Sequence, residues 1–71
     1  MLINESLYMQ MRLFHMFCDK YQMTARYANE LFIKNKIWEY IDKCYDLLHL
    51  SGDEVAMDDI IHILNKNGVK L

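Results

Sequence analysis

The chain has 71 residues, enough for one domain at most. Of these 54% are hydrophobic, with no proline and a net charge of −2. A chain this short buries only about 60–65% of its unfolded surface. A core of that size rarely supplies more than about 3–5 kcal/mol, so surplus apolar surface calls for a second subunit or a partner. The charge argues against an unspecific nucleic-acid binder, which needs many Lys and Arg to neutralise phosphates; no apolar run approaches the ~18 residues of a membrane span.

The charge is unevenly spread. Arg12, Lys20, Arg26 and Lys34 outweigh Glu5, Asp19 and Glu30 in the first half, whereas four lysines face seven acids after residue 35. The first residues lack a basic segment, an apolar run and a small-residue cleavage site, so a cytoplasmic protein is expected. Cys18 and Cys44 form no CxxC pair and read as small buried hydrophobes in a reducing compartment.

The expected fold is all-α, a small bundle of four helices over residues 1–71. Residues 5–21 are predicted as the first helix, with Asn4 as N-cap. Leu7, Met11, Phe14 and Cys18 form one apolar stripe; Met9, Leu13, Met16 or Phe17, and Tyr21 form a second. Glu5, Arg12 and Asp19, seven apart, leave a narrow polar face. A helix apolar over most of its circumference is covered on two sides. Either it is the central core helix, or Met9, Leu13, Met16 and Phe17 meet a partner, for which deformable methionines are suited.

Thr24 is the expected N-cap of a second helix over 25–34, with Tyr27, Ala28, Leu31 and Phe32 on its apolar side. Asn35 is the junction to a third helix over 36–49, although without Gly or Pro residues 24–49 could be one bent helix. Ile37, Ile41, Cys44 and Leu48 line one side of that third helix, widened by Trp38 and Tyr45. Trp38, Tyr45, Leu48 and His49 are read as structural. A histidine at a helix end suits the dipole when charged and can donate to a loop acceptor. The competing reading, proton transfer by Tyr45 and His49 with Asp46, has no nucleophile or oxyanion donor beside it, so no catalytic residue is expected.

Leu50-Ser51-Gly52-Asp53 is the clearest turn. Ser51-x-x-Glu54 spells a capping box. The preferred alternative is an extended segment over 54–57 and a last helix over 58–67, because Val55 is β-branched and Ile60, Ile61 and Leu64 carry the stripe. Asp58 is the expected N-cap of that helix, and the two acids at its first turn, Asp58 and Asp59, suit the positive end of the dipole. With Asp53 and Glu54 they make the densest charge in the chain, usually a solvated helix start and, in its functional reading, a docking patch for a basic surface. Asp58 and His62 form an i, i+4 pair. Asn67-Gly68 closes the helix with glycine at C′, and Val69 and Leu71 should fold back on the core.

His15, Cys18, Cys44 and His49 are zinc-type ligands in number, but Cys44 and His49 lie roughly 140° apart around a helix, so no metal and no cofactor are expected. A helix-turn-helix over 24–48 is disfavoured because Arg26, Lys34, Lys36 and Lys43 do not gather at the start of a recognition helix.

One longer pattern stands out: Tyr40-Ile41, Tyr45-x-x-Leu48-His49, a turn at Gly52, Asp58-Asp59-Ile60 and a closing Gly68. It resembles a bacterial domain-of-unknown-function family of small helical proteins, closely over 40–68 and loosely over 10–69. Members of that family look like companions of a second family with an ADP-ribosyltransferase-like fold. The resemblance implies a toxin–antitoxin pairing, with this chain as the small, non-enzymatic neutralising partner. Partner contact is expected through Met9, Leu13, Met16, Phe17, Asp58 and Asp59. A homodimer sealing the first helix is the alternative, and a nucleic-acid-binding regulator the third reading.

Overall fold

The computed structural model describes residues 4–71, so the first three residues of the expected 1–71 domain lie outside it. Every regular element among the described residues is helical: α1 (Glu5–Tyr21), α2 (Ala25–Lys34), α3 (Ile37–Lys43), α4 (Tyr45–Ser51) and α5 (Asp53–Lys66). There are five helices, not four.

The first two helices begin and end where local chemistry places them. The Asn4 side chain accepts from the Leu7 N–H and the Thr24 hydroxyl from the Tyr27 N–H, each satisfying a donor that the helix start leaves orphaned. Gln22 adopts the left-handed conformation at the end of α1, and the Met23 N–H reaches back to the Cys18 carbonyl at 3.1 Å. Asn35 and Lys36 separate α2 from α3; Lys36 is left-handed (φ 56°), which rules out one bent helix over 24–49.

The predicted helix over 36–49 is broken at Cys44, whose φ of −102° and ψ of 18° leave the helical region. Hydrogen bonds from Cys44 to Tyr40 and from Leu48 to Cys44 persist across the break, so the chain bends without losing its thread. Ile37, Ile41 and Leu48 are all buried, and Cys44 is half-buried at the bend.

The last helix starts five residues before the predicted 58. Residues 54–57 are helical, not extended, and Asp58 does not cap. The capping box does not form either: the Ser51 hydroxyl donates back to the Leu47 carbonyl at 2.9 Å, and Gly52 is the N-cap. Ala56 and Met57 explain the early start, since both are buried and extend the stripe of Ile60 and Leu64 by one turn. That burial outweighs the few tenths of a kcal/mol by which β-branched Val55 disfavours a helix. The far end closes as a Schellman motif: Gly68 (φ 89°) donates to Asn65 and Val69 to Leu64, and Val69 packs on the core.

The core joins α1, α2, α3 and α5 around aromatic rings. Phe32 stands edge-on to Phe14 (5.2 Å between centroids) and to Trp38 (5.1 Å), and packs against Phe17 at 5.2 Å. Leu13, Phe17, Ala28, Phe32, Ile37, Ile41, Ala56, Ile60 and Leu64 are wholly buried. No polar residue among the described ones is buried.

This packing decides which side of α1 faces inward. Met9, Leu13 and Phe17 lie in the chain's own core, so assigning them to a partner surface is corrected. They lie on the inward side of α1, which packs on α2, α3 and α5, while Leu7 (53% exposed), Tyr8 (65%) and Met11 (44%) take the outer side.

Candidate functional site

Helix α4 packs on α5 and α3 and reaches α1 through side chains. The gap it leaves is a cleft of about 350 Å³, lined by Glu5, Tyr8, Met9 and Arg12 from α1 and by Tyr45 and His49 from α4. Glu5, Tyr8 and Arg12 fall at i, i+3 and i+7, the spacing that puts side chains on one flank of a helix. Tyr45 and His49, one turn apart, place their rings parallel, 5.5 Å between centroids and 20° between planes.

One polar clamp crosses the cleft and a second ties its α1 wall to α5. The Tyr45 hydroxyl donates to Glu5 Oε2 at 3.0 Å. Burial, then this hydrogen bond and the Glu5 charge, push the Tyr45 phenol above its ordinary pKa. Below it, Arg12 grips Asp53 of α5 with two parallel bonds, Nε to Oδ2 at 3.0 Å and Nη2 to Oδ1 at 2.9 Å. The hydrogen bond to Asp53 holds the guanidinium's pKa above even its high ordinary value. The same guanidinium lies 5.7 Å from the Tyr8 ring centroid, a cation–π contact that steadies the ring.

Along α1 the surface continues into a shallow groove of about 360 Å³ lined by Tyr8, Met11, Arg12, His15, Met16 and Asp19. A third depression, of about 290 Å³, brings Met16 and Lys20 beside Glu54, Met57 and Asp58. Of the residues expected at a partner surface, Met16 and Asp58 therefore meet in one place. Asp59 is engaged within the chain, its carboxylate accepting from the Tyr40 hydroxyl at 3.2 Å.

Leu48 is buried and Trp38 is half-buried, donating its indole N–H to Asn29 Oδ1 at 3.0 Å and packing on Phe14 and Phe32. Tyr45 and His49 do more than brace the helix: they form one wall of the cleft. His49 lies in the last turn of α4, as a dipole-pairing histidine should, but its ring stacks on Tyr45 and is exposed. The Tyr45 hydroxyl is turned to Glu5, away from that ring.

Arg12–Asp53 is the one ion pair among the described residues, and Asp58–His62 does not form. Cys18 and Cys44 are free and half-buried. Among the described residues no three of His, Cys, Asp or Glu gather in a way that could hold a metal.

Sequence reasoning passed over Glu5, Tyr8 and Arg12, reading Glu5 and Arg12 as a solvated face. Their i, i+3, i+7 spacing was the available signal. What it could not supply was Asp53 and the α4 rings, which arrive from 33 to 48 positions away in the chain.

No curated protein and no solved structure matches the chain. A family model does, over residues 9–67, spanning the last four helices and most of α1. The chain thus belongs to the family described as Protein of unknown function (DUF3791).

Proposed function

We propose that this chain is a non-enzymatic protein-binding module, the small neutralising partner of a larger ADP-ribosyltransferase-like toxin. The observation that carries the binding part is the outer side of α1. Leu7, Tyr8 and Met11 hold large apolar surfaces in water beside a cleft with aromatic walls. A monomer of this size gains nothing by leaving them there, and apolar residues gathered on one helix face mark an interaction site. Met16 and Asp58 extend this surface toward α5. The toxin part is supported by the likeness of the Tyr45-x-x-Leu48-His49 and Asp58-Asp59-Ile60 pattern to small companion proteins.

The test is co-expression with the product of the adjacent gene. The two should co-purify, the larger product's toxicity should be suppressed, and Tyr8→Glu with Met11→Glu should abolish both effects while leaving the helical circular dichroism unchanged. Separate elution of the two products, with toxicity undiminished, would remove the proposal. A homodimer remains the second reading, because the same side of α1 could be covered by another copy; sedimentation of the isolated chain distinguishes them.

A further inference from the structure

We propose that the cleft between α1 and α4 receives a guanidinium group, an arginine side chain presented by the partner protein. The charge arithmetic of the cleft favours a cation. Among the described residues lining it, Arg12 is the sole Lys or Arg, and its Nε and Nη2 already face both oxygens of Asp53. That pair is matched. Glu5 is not: one oxygen accepts from the Tyr45 hydroxyl, no Lys or Arg among the described residues pairs with the carboxylate, and the side chain is exposed. Asp46, beside Tyr45 in the first turn of α4 and in no ion pair among the described residues, adds a second carboxylate whose charge Tyr45 feels. An anion entering the cleft would meet Glu5 and find Nε and Nη2 of Arg12 already engaged by Asp53.

The walls select the kind of cation. Tyr8 on one side and the Tyr45–His49 stack on the other present ring surfaces, and the Arg12 contact and the Glu5 hydrogen bond hold them in place. A guanidinium is planar, weakly hydrated and stacks on aromatic rings. It also offers a fork of N–H donors to a carboxylate. A lysine ammonium, compact and strongly hydrated, uses the charge but not the flat walls. The cleft holds about 350 Å³, at the lower end of the range of small-ligand sites, so one side chain can enter without rearranging it.

This inference rests on the partner-binding reading only for where the guanidinium comes from, and the site is testable on the isolated chain. The probe is acetyl-arginine amide, titrated at constant ionic strength while the aromatic resonances of Tyr8, Tyr45 and His49 are followed by NMR. Acetyl-citrulline amide, the same shape without the charge, is the control. Saturable shifts at those three rings with the arginine, at least tenfold weaker with the citrulline, are expected. Glu5→Gln should weaken the arginine response at least tenfold, and Glu30→Gln on α2 should leave it unchanged. Should Glu5→Gln disturb the fold, Tyr8→Leu removes one ring wall and should weaken binding severalfold. Absence of saturation, an equal response to citrulline, or indifference to both cleft variants would overturn the assignment. Probe binding by a chain that captures no partner would uphold the cleft and sink the partner reading instead.

Discussion

The Tyr40 hydroxyl bridges α3 and α5 through Asp59, and it carries the largest titration shift among the described residues. Burial, reinforced by the adjacent Asp59 charge and the hydrogen bond to it, pushes this phenol up to about 12. An unfolded tyrosine titrates near ~10. The native state therefore keeps the proton longer than the unfolded state does. This contribution to stability is complete below pH ~10 and is lost as pH rises through 12. Urea unfolding between pH 8 and 12 should show wild type losing stability in that window more steeply than Tyr40→Phe, which has no proton to lose. At neutral pH the variant should be weaker by about 1.5–3 kcal/mol, the value of a hydrogen bond to a charged carboxylate. Parallel curves for the two proteins would mean that Asp59 does not hold Tyr40.

At the scale of elements, the corners decide the topology. Gly52 joins α4 to α5 at φ 93° and ψ 164°, a conformation essentially reserved for glycine. A Cβ added there would meet nothing within 4 Å, so the penalty of Gly52→Ala is purely backbone strain. It should cost about 1–3 kcal/mol, lowering the melting temperature by roughly 4–8 °C for each kcal/mol. An unchanged melting point would show that the corner can relax. Lys36 is the reverse case. It holds a left-handed conformation (φ 56°) between α2 and α3 that an L side chain dislikes by about 1–2 kcal/mol. Glycine removes this strain but gives the unfolded chain more freedom, so Lys36→Gly should stabilise by less than about 1 kcal/mol, read from the urea midpoint.

These corners also mark what could be read from the residues. Asn4, Thr24 and Gly68 announce their helix ends through side-chain acceptors or positive φ, and the 37, 41, 48 stripe announces its buried face. The bend at Cys44 has no such signal: neither glycine nor proline is there, and tertiary packing alone sets it. Val55 pointed to an extended segment because propensity is local, whereas the burial of Ala56 and Met57 against the bundle is not. The cleft was the least legible feature. Its α1 flank is a spacing, but its opposite wall exists only because the bend carries Tyr45 and His49 over Glu5.

For the whole molecule, the balance between core and surface sets the behaviour. Phe32 contacts Phe14, Phe17 and Trp38 and is wholly buried. Truncating such a ring costs about 3–5 kcal/mol, comparable to all the stability a core this small supplies. Phe32→Ala should therefore be largely unfolded at 25 °C by far-ultraviolet circular dichroism, and a cooperative melt in that variant would show the core to be less centralised than its geometry implies. Outside the core, Leu7, Tyr8, Met11, Leu47 and Leu50 (84% exposed) stand in water and contribute little to the isolated chain. A partner covering part of that surface binds the folded form alone and adds stability by mass action, about 2.7 kcal/mol when its free concentration is a hundred times the Kd. For a domain of this size that increment corresponds to a rise of at least ~10 °C in melting temperature. Scanning calorimetry of the co-purified complex beside the isolated chain reads the difference directly. A shift that grows with partner concentration is the signature of binding linked to folding. Coincident melts would mean that the exposed side of α1 is not covered as proposed.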